Sequence, residues 1–216
     1  MNNFEIENVM VPYEKINQHF NKTRVFLWPA TKAFLDSIPN TDLVIDIGCG
    51  NGRDINQYKF PIIGCDICFP VLEQARNSNG FIGVLQGNAL HLPFGNNTFD
   101  KLISIAVIHH LSDEKRRRES IKEFIRIIKP GGKLFIQVWA YEQPKDSRRK
   151  FIEGDNMVPW VLYGKYAKSG KDETYHRFYH VFKEGELDDL CDFPNVKIVK
   201  SFYERGNWAI ILKKIL

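Results

Sequence analysis

The chain has 216 residues, of which 44% are hydrophobic and 26% are charged, and it carries a formal net charge of +4. This length and composition suit one globular domain, and no apolar run approaches the roughly 18 residues that a membrane helix needs. The amino terminus lacks the basic start and the apolar stretch of a secretory signal, so we expect a protein of the cytoplasm or nucleus without a membrane partner.

Apolar runs alternate with amphipathic stretches from residue 43 onward. The apolar runs predict strands at 43–48, 61–67, 81–87, 99–108 and 133–140. The amphipathic stretches predict helices after Gly52, at 70–77 and at 112–129. Ser112 is expected to cap the last of these helices. Because strands and helices alternate, we expect a parallel sheet with helices on both of its faces.

The remaining segments flank this core of residues 43–140. Residues 1–42 are expected to form a helical preface over its mouth. Residues 141–180 are polar, aromatic and irregular, and too long for an ordinary connector, so they indicate a functional insertion on the substrate side. Residues 181–216 predict a short helix and two strands joined at Arg205-Gly206. We therefore expect a single domain over residues 1–216.

A glycine-rich turn follows the first predicted strand, in the run VIDIGCGNG at 44–52. Gly48 and Gly50 permit a tight turn and let a ligand approach the backbone closely. Ligands of open parallel sheets bind at this edge, outside the carboxyl ends of the strands. Asp66 follows Asp46 by 20 residues, at the tip of the next strand. That separation is typical of an acid that accepts hydrogen bonds from a ribose diol.

Two cofactors share this strand, turn and acid. A nicotinamide-dependent oxidoreductase needs a third glycine, where this chain has Arg53. The acid before the first glycine, Asp46, suits the ammonium group of S-adenosylmethionine and would repel a pyrophosphate. The residues therefore favour S-adenosylmethionine. Cys65 and Cys68 lack the second pair that a zinc site needs, so no metal is predicted.

The segment at 87–94, GNALHLPF, resembles the GDAxxLPF segment that lies beside the adenine in S-adenosylmethionine-dependent methyltransferases. Asn88 replaces the usual acid, and its carbonyl can still accept a hydrogen bond from an exocyclic amine. The full set of residues expected at the cofactor is Tyr13, Arg24, Asp46, Gly48, Gly50, Asn51, Asp66, Ile67, Asn88, Ala89 and Ile105.

Further segments carry a more specific resemblance. They are PYEKINQHFNKTRVFLWP (12–29), SIAVIHHL (104–111), VWAYEQ (138–143), VPWVL (158–162), RFYHVFKEGEL (177–187) and GNWAIIL (206–212). In these segments the chain closely resembles the eukaryotic tRNA methyltransferases that esterify carboxymethyluridine at the wobble position, in their compact fungal form. The resemblance covers nearly the whole chain, although Gly206 stands where the family usually has an acid.

The resemblance implies the fold of the class I methyltransferases. This is an α/β, Rossmann-like, seven-stranded sheet, mostly parallel, with a closing antiparallel hairpin and helices on both faces. It also implies tRNA, not DNA, as the nucleic-acid partner. A small zinc-binding activator subunit is implied as a second partner, beside the third strand. The segment 81–87 is unusually apolar for an edge strand, which is consistent with such a partner.

The implied reaction needs no general base, because a carboxylic acid with a pKa near 4 is already ionised at pH 7. The site must instead hold the carboxylate in line with the methyl group, which calls for cations and hydrogen-bond donors. The candidates are Arg24, His109, His110, Arg177, Tyr179 and His180. The residues expected at the RNA are the basic cluster Arg148, Arg149 and Lys150 and the stacking faces of Trp139, Trp160 and Trp208.

Two other functions stay open at this point. A methyltransferase of small molecules such as quinones or sterols shares the GDAxxLPF pattern but would want an apolar cavity, and Arg148, Arg149 and Arg177 argue against it. A catalytically silent RNA-binding scaffold would not need the intact acids Asp46 and Asp66. A second basic run, at 115–118, is either a nucleic-acid contact or a solvated face.

Overall fold

A seven-stranded sheet and a separate two-stranded sheet form the framework of the computed structural model, which describes residues 1–23, 27–52, 55, 57–77 and 80–216. The strands are β1 (Val44–Ile47), β2 (Ile62–Asp66), β3 (Gly83–Gln86), β4 (Phe99–Ile105), β5 (Ile128–Trp139), β6 (Gly154–Leu162), β7 (Glu173–Val181), β8 (Val196–Tyr203) and β9 (Asn207–Lys214).

The large sheet has the strand order β3-β2-β1-β4-β5-β9-β8. Its first five strands are parallel, while β9 runs antiparallel to β5 and to β8. All four residues of β1 are buried, as expected of a strand that is covered on both faces. The predicted fold, mostly parallel with a closing antiparallel hairpin, is confirmed.

Helices cover both faces of this sheet. They are α1 (Asn3–Glu5), a π-helix (Ile6–Met10), α2 (Val11–Thr23), α3 (Pro29–Asp36), α4 (Phe69–Arg76), a 3₁₀ helix (Ile108–His110), α5 (Glu114–Ile127) and α6 (Glu186–Leu190). The buried stripe of α5 includes Phe124 and packs on one face, while Phe34 and Leu35 of α3 pack on the other. The helix predicted after Gly52 falls partly on residues outside the described ranges.

The amino-terminal helices are fixed to α5 by a buried carboxylate. Glu5 is fully buried and accepts two 2.6 Å hydrogen bonds from Arg116, together with one from the backbone N–H of Ser112. Ser112 was predicted to cap α5, but the cap is Asp113, whose side chain accepts from the N–H of Arg116. Burial alone would raise the pKa of Glu5, but the bonds from Arg116 and Ser112 outweigh it and hold that pKa below its usual range.

The three arginines of the basic run at 115–118 form hydrogen bonds within the domain. Besides the bond of Arg116 to Glu5, Arg117 is buried and donates to the carbonyl of Leu111. Arg118 donates to backbone carbonyls around the end of α6, including that of Asp192 at 2.7 Å. Arg116 and Arg117 are therefore committed to contacts within the fold, while Arg118 is exposed and bonded at the surface.

The sequence predicts an irregular insertion at 141–180, and this is wrong over 154–162 and 173–180, which form strands. Strands β6 and β7 form an antiparallel hairpin that ends at Val181. The less exposed positions of the two strands mix polar, charged, aromatic and aliphatic residues, such as Asn156, Trp160 and Arg177, so there is no apolar face for a sequence pattern to detect. No helix within the described ranges is long and apolar enough to cross a membrane.

The closing hairpin turns where the sequence predicted. Arg205 and Gly206 both have positive φ, 46° and 79°, which is the conformation of a type I′ turn between β8 and β9. The carbonyl of Gly206 accepts hydrogen bonds from the N–H of Ala140 and from the side chain of Gln143. A Cβ at this position would lie 2.8 Å from the side-chain oxygen of Gln143. Gly206, which departs from the family pattern, thus leaves room for the side chain of Gln143.

Candidate active site

The glycine-rich turn lies at the carboxyl end of β1, between β2 and β4. Gly48 has a φ of +73°, and a Cβ there would come within 2.1 Å of the side chain of Val107. Gly50 also has a positive φ, of +57°. The strand order changes direction at this point, which is where open α/β sheets bind their ligands.

Two carboxyl groups flank this turn. Asp66 accepts 2.9 Å hydrogen bonds from the N–H groups of Gly50 and Cys68, one on each oxygen. Each oxygen retains a lone pair for a ligand hydroxyl. Asp46 is 7% exposed, and burial, followed by the charge of Asp66, raises its pKa to about 8. A buried acid of this kind favours a cationic ligand group, because the pair is then neutral.

A cavity of about 280 Å³ opens at this edge of the sheet. The residues predicted for the cofactor that line it are Tyr13, Asp46, Gly48, Gly50, Asn51, Asp66, Ile67, Asn88, Ala89 and Ile105. Arg24, predicted for both cofactor and substrate, lies outside the described residues. The side-chain carbonyl of Asn88 accepts from the N–H of Leu90 at 3.0 Å, so this residue also holds its own loop in place.

The cavity has an apolar cover; the sequence predicts a helical preface over the mouth but does not identify the residues that line it. Val9 and Met10 of the π-helix, Trp28 and Leu111 also line it. Their hydrophobic character is visible in the sequence, but no sequence pattern indicates that Val9, Met10 and Trp28 share a cavity with Leu111, which follows β4. The cover excludes water from a ligand bound below it.

These features fit S-adenosylmethionine. The turn leaves open the space that a Cβ would fill, Asp66 can take the ribose hydroxyls, and Asp46 can take the ammonium group. Cys65 and Cys68, on either side of Asp66, are buried thiols whose pKa values burial raises to about 12. Among the described residues, no three potential metal ligands converge.

A chain of hydrogen bonds joins the hairpin to the rim of the cavity. Arg177 donates to the phenol oxygen of Tyr179 at 2.7 Å, and the phenols of Tyr179 and Tyr13 are 2.9 Å apart. Tyr13 lies 3.1 Å from Nε2 of His110, whose Nδ1 lies 2.7 Å from the carbonyl of Phe178. Since a carbonyl only accepts, Nδ1 carries the proton and Nε2 accepts from Tyr13. The order of donors along the network is thereby fixed.

Arg177 is a buried cation, only 3% exposed. Within the described ranges its guanidinium pairs with no carboxylate, and its Nε has no hydrogen-bond partner. Its remaining contacts are to rings and phenols, with Trp160 4.9 Å and Tyr13 5.5 Å away. A buried charge left unpaired is costly, and this arrangement can bind an anion.

His109 and Trp139 are packed into the structure. His109 is fully buried, and its Nδ1 accepts from the backbone N–H of Trp139. Tyr179 stacks on Trp139 at 4.1 Å, and the guanidinium of Arg149 lies 4.0 Å from the same ring. Two groups this close must occupy opposite faces of the indole. Trp139 therefore has no free face for a base, contrary to the prediction.

The side chains of His180 and Trp208 have partners other than Arg177, Tyr179, Tyr13 and His110. Alternation along β7 directs His180 away from Arg177 and Tyr179, and its ring nitrogens lie 2.7 Å from Asp155 and 2.6 Å from Glu186. The prediction that His180 contacts the substrate beside Arg177 is therefore wrong, because its ring lies on the other side of the strand. Trp208 donates to Glu142.

The other residues predicted for RNA are at or near the surface. Arg148 and Lys150 are exposed on the segment after β5, and Arg149 is exposed apart from its contact with Trp139. Trp160 is half-buried beside Arg177, and its role as a stacking face for RNA stays a prediction.

Comparison with known proteins gives matches along the whole chain. A model of the methyltransferase domain matches residues 45–136. The tRNA (carboxymethyluridine(34)-5-O)-methyltransferase of Schizosaccharomyces pombe is 39% identical over 98% of both chains. A Xenopus tropicalis protein of the same name, alkbh8, is 35% identical over 98% of this chain, which spans 41% of its length.

Solved structures give the same fold at lower identity. One is a complex between the Haloferax volcanii Trm112 methyltransferase activator and a methyltransferase. It matches with a TM-score of 0.64 and 14% identity, over 97% of this chain and 99% of the other. At this level of identity the match shows the fold alone.

Proposed function

The chain belongs to the family of the tRNA (carboxymethyluridine(34)-5-O)-methyltransferases, and from this we propose that it methylates the carboxylate of 5-carboxymethyluridine at the wobble position of tRNA. S-adenosylmethionine is its cofactor and, when bound, supplies the methyl group. The product is the methyl ester of the modified uridine.

The observation that carries this proposal is the buried and unpaired guanidinium of Arg177. A substrate that brings a carboxylate would neutralise it, and the free Nε–H offers that carboxylate a charge-assisted hydrogen bond. Tyr13 joins the two halves of the site, because it both lines the cofactor cavity and contacts Arg177. A neutral substrate such as a quinone or sterol gives no reason for a buried cation here.

The residues around Arg177 are suited to orientation. The substrate oxygen is already an anion at neutral pH, so no side chain has to remove a proton. Arg177 binds the carboxylate at the rim of the cavity, and the phenols of Tyr13 and Tyr179, which accept from Arg177, hold the guanidinium in place; an in-line methyl transfer requires such positioning. The proton order around His110 is consistent with this, because its Nε2 is already engaged by Tyr13.

The test is to incubate the chain, its activator subunit and S-adenosylmethionine with an anticodon stem-loop that carries 5-carboxymethyluridine. A matched stem-loop carries unmodified uridine. Mass spectrometry of the digested nucleosides should find the methyl ester in the first and no methylation in the second. Methylation of the unmodified loop, or of neither, would overturn the proposal.

We also propose that a small zinc-binding activator subunit pairs with the edge of the sheet at β3. No other strand of the described chain pairs with the outer side of β3, and Ile82 beside it is 66% exposed. An uncovered apolar edge promotes aggregation. Co-expression with the activator should therefore raise soluble yield, and Ile82→Lys should weaken the complex. We expect both subunits in the cytoplasm or nucleus, where tRNA is available.

A further inference from the structure

A second group of aromatic rings lies at the tip of the β6–β7 hairpin. His19 of α2 stacks on Tyr166 with 4.6 Å between ring centroids, and Tyr163 lies 5.8 Å from the same imidazole. The indole N–H of Trp160 donates to Nδ1 of His19 at 3.2 Å. We call His19, Trp160, Tyr163 and Tyr166 the hairpin-tip cluster.

One ring of the hairpin-tip cluster, that of Tyr163, is open to solvent. Tyr163 is 52% exposed, so much of its ring is not used in packing. Exposed aromatic surface of this kind is a feature of binding sites. The other three members, His19, Trp160 and Tyr166, are half-buried, and Trp160 connects the cluster to the interior.

The loop that carries these rings is also basic. Lys165 lies 5.0 Å from the ring of Tyr166, and Lys168 and Lys171 are exposed nearby. Two acids lie on the same loop and are occupied within it. Asp172 accepts from the backbone N–H of Gly164, and Glu173 accepts from Ser169 and Tyr175. The loop therefore carries three lysines against two carboxylates, an excess of one positive charge beside the exposed ring of Tyr163.

The hairpin-tip cluster is continuous with the active site. The indole of Trp160 has His19 on one side, at 5.3 Å, and the guanidinium of Arg177 on another, at 4.9 Å. A chain that places a carboxylate on Arg177 would extend over Trp160 toward Tyr163. The cluster is thus positioned for what lies next to the reacting group.

We propose that the hairpin-tip cluster, with Lys165 and Lys168, binds the nucleotides that flank the wobble uridine in the anticodon loop. Unstacked bases bind to exposed aromatic rings, and lysines beside those rings bind the phosphates between them. This inference rests on the proposed function and adds to it a surface that the cofactor and the carboxylate do not touch. The combination of the exposed ring of Tyr163 with neighbouring lysines favours a single-stranded nucleic acid over a protein partner.

The test measures the affinity of the holo-complex with its activator for the carboxymethyluridine stem-loop, with 2-aminopurine placed 5′ or 3′ of the wobble position. Tyr163→Ala should weaken binding by roughly tenfold and should abolish the fluorescence change of the adjacent probe. Tyr163→Phe keeps the aromatic ring and should keep both the wild-type affinity and the fluorescence change. Lys165→Ala/Lys168→Ala should lower the slope of log K against log salt by about 1.4.

The control is Lys197→Ala, an exposed lysine on β8, which should bind as wild type does. All variants should retain the wild-type melting temperature and affinity for S-adenosylmethionine. If wild type binds and methylates the stem-loop while Tyr163→Ala binds equally well, the inference fails and the proposed function stands. Loss of activator binding in place of RNA binding would assign the cluster to the protein partner and also overturn the inference. If wild type does not methylate the stem-loop, the proposed function itself fails.

Discussion

The phenol of Tyr179 lies 2.9 Å from the phenol of Tyr13, and this contact joins the inserted hairpin to the amino-terminal helix. The two residues are far apart in the chain, and each touches a different part of the site. Tyr13 lines the cofactor cavity, while Tyr179 accepts from the buried Arg177. Two hydroxyl groups therefore connect Arg177, the cation proposed to bind the carboxylate, to the cofactor cavity.

Arg177→Ala should lower turnover by about two orders of magnitude or more, because a charged donor in a site that excludes water is worth several kcal/mol. Arg177→Lys should recover only part of this, since an ammonium group cannot reproduce the planar donor set. Affinity for S-adenosylmethionine, measured by calorimetry, should be unchanged in both.

His180→Ala is the matched control, three positions along the same strand. Its ring faces Asp155 and Glu186, so the substitution should lower the melting temperature while sparing turnover in the folded enzyme. Normal turnover in Arg177→Ala would remove the assigned role of this cation.

Binding of S-adenosylmethionine should strengthen as pH rises from about 6 to 8. The pKa of Asp46 is raised to about 8 by burial and then by the charge of Asp66, and a cationic ligand group requires the ionised form. One proton is thus released on binding, and affinity should rise by up to about tenfold per pH unit until Asp46 is ionised. Calorimetry in buffers of different ionisation enthalpy measures this proton directly.

Asp46→Asn should remove this pH dependence and weaken binding at every pH. The same substitution should stabilise the ligand-free protein at pH 8. A carboxyl whose pKa is raised on folding is ionised in the unfolded chain above about 4 but protonated in the folded one, so stability falls as pH rises toward 8. Asparagine does not titrate. A variant that loses both binding and stability would show that Asp46 has a structural role only.

Asp66→Ala should reduce affinity for S-adenosylmethionine by about one to three orders of magnitude, through the loss of two charge-assisted bonds to the ribose. It also leaves the N–H groups of Gly50 and Cys68 without their acceptor. We therefore expect a small decrease in melting temperature as well. Calorimetry on the folded variant separates the two effects, and near-normal affinity would contradict the assignment.

The sequence predicted best those features that depend on neighbouring residues. Asp46, Gly48 and Asp66 lie where a strand, a turn and the next strand must place them, and the turn at Gly206 follows from local backbone conformation. Each of these is a short-range signal. The large sheet could be predicted in the same way, because buried parallel strands read as continuous apolar runs.

The inserted hairpin gave no such signal. Its strands pack Trp160, Arg177 and Tyr179 inward, and this mixture of aromatic and charged groups does not resemble a hydrophobic face. Had residues 173–181 been recognised as a strand, alternation alone would have separated His180 from its neighbours. Helical rotation likewise disperses the basic run 115–118 into different surroundings, which composition cannot show.

In the basic cluster Arg148, Arg149 and Lys150, we expect Arg149 to have a role that the other two residues do not share. Arg148→Ala/Lys150→Ala should weaken tRNA binding and lower the salt dependence of log K by about 1.4 to 1.8, as expected for two lost phosphate contacts. Arg149→Ala should also lower turnover, because its guanidinium covers Trp139, on which Tyr179 stacks. Filter binding at several salt concentrations and single-turnover assays separate the two. An unchanged salt slope would make the first two residues a solvated loop.

Glu5→Gln should loosen the amino-terminal cover of the cavity. The carboxylate is fully buried and paired with Arg116, and loss of its charge leaves that arginine partly buried without a counter-ion, at a cost of about 1–3 kcal/mol. Release of S-adenosylmethionine should accelerate several-fold in stopped-flow experiments, and protease should cut the first residues faster.

The pKa of Glu5 is held below its usual value, so the stability that its carboxylate contributes is present above pH 4.5 and is lost only on acidification. It should be constant from pH 6 to 9. Lys115→Ala, which removes a surface pair with Glu119, should change neither rate. An unaltered release rate in a Glu5→Gln variant that is cut faster would show that the cover opens without limiting release.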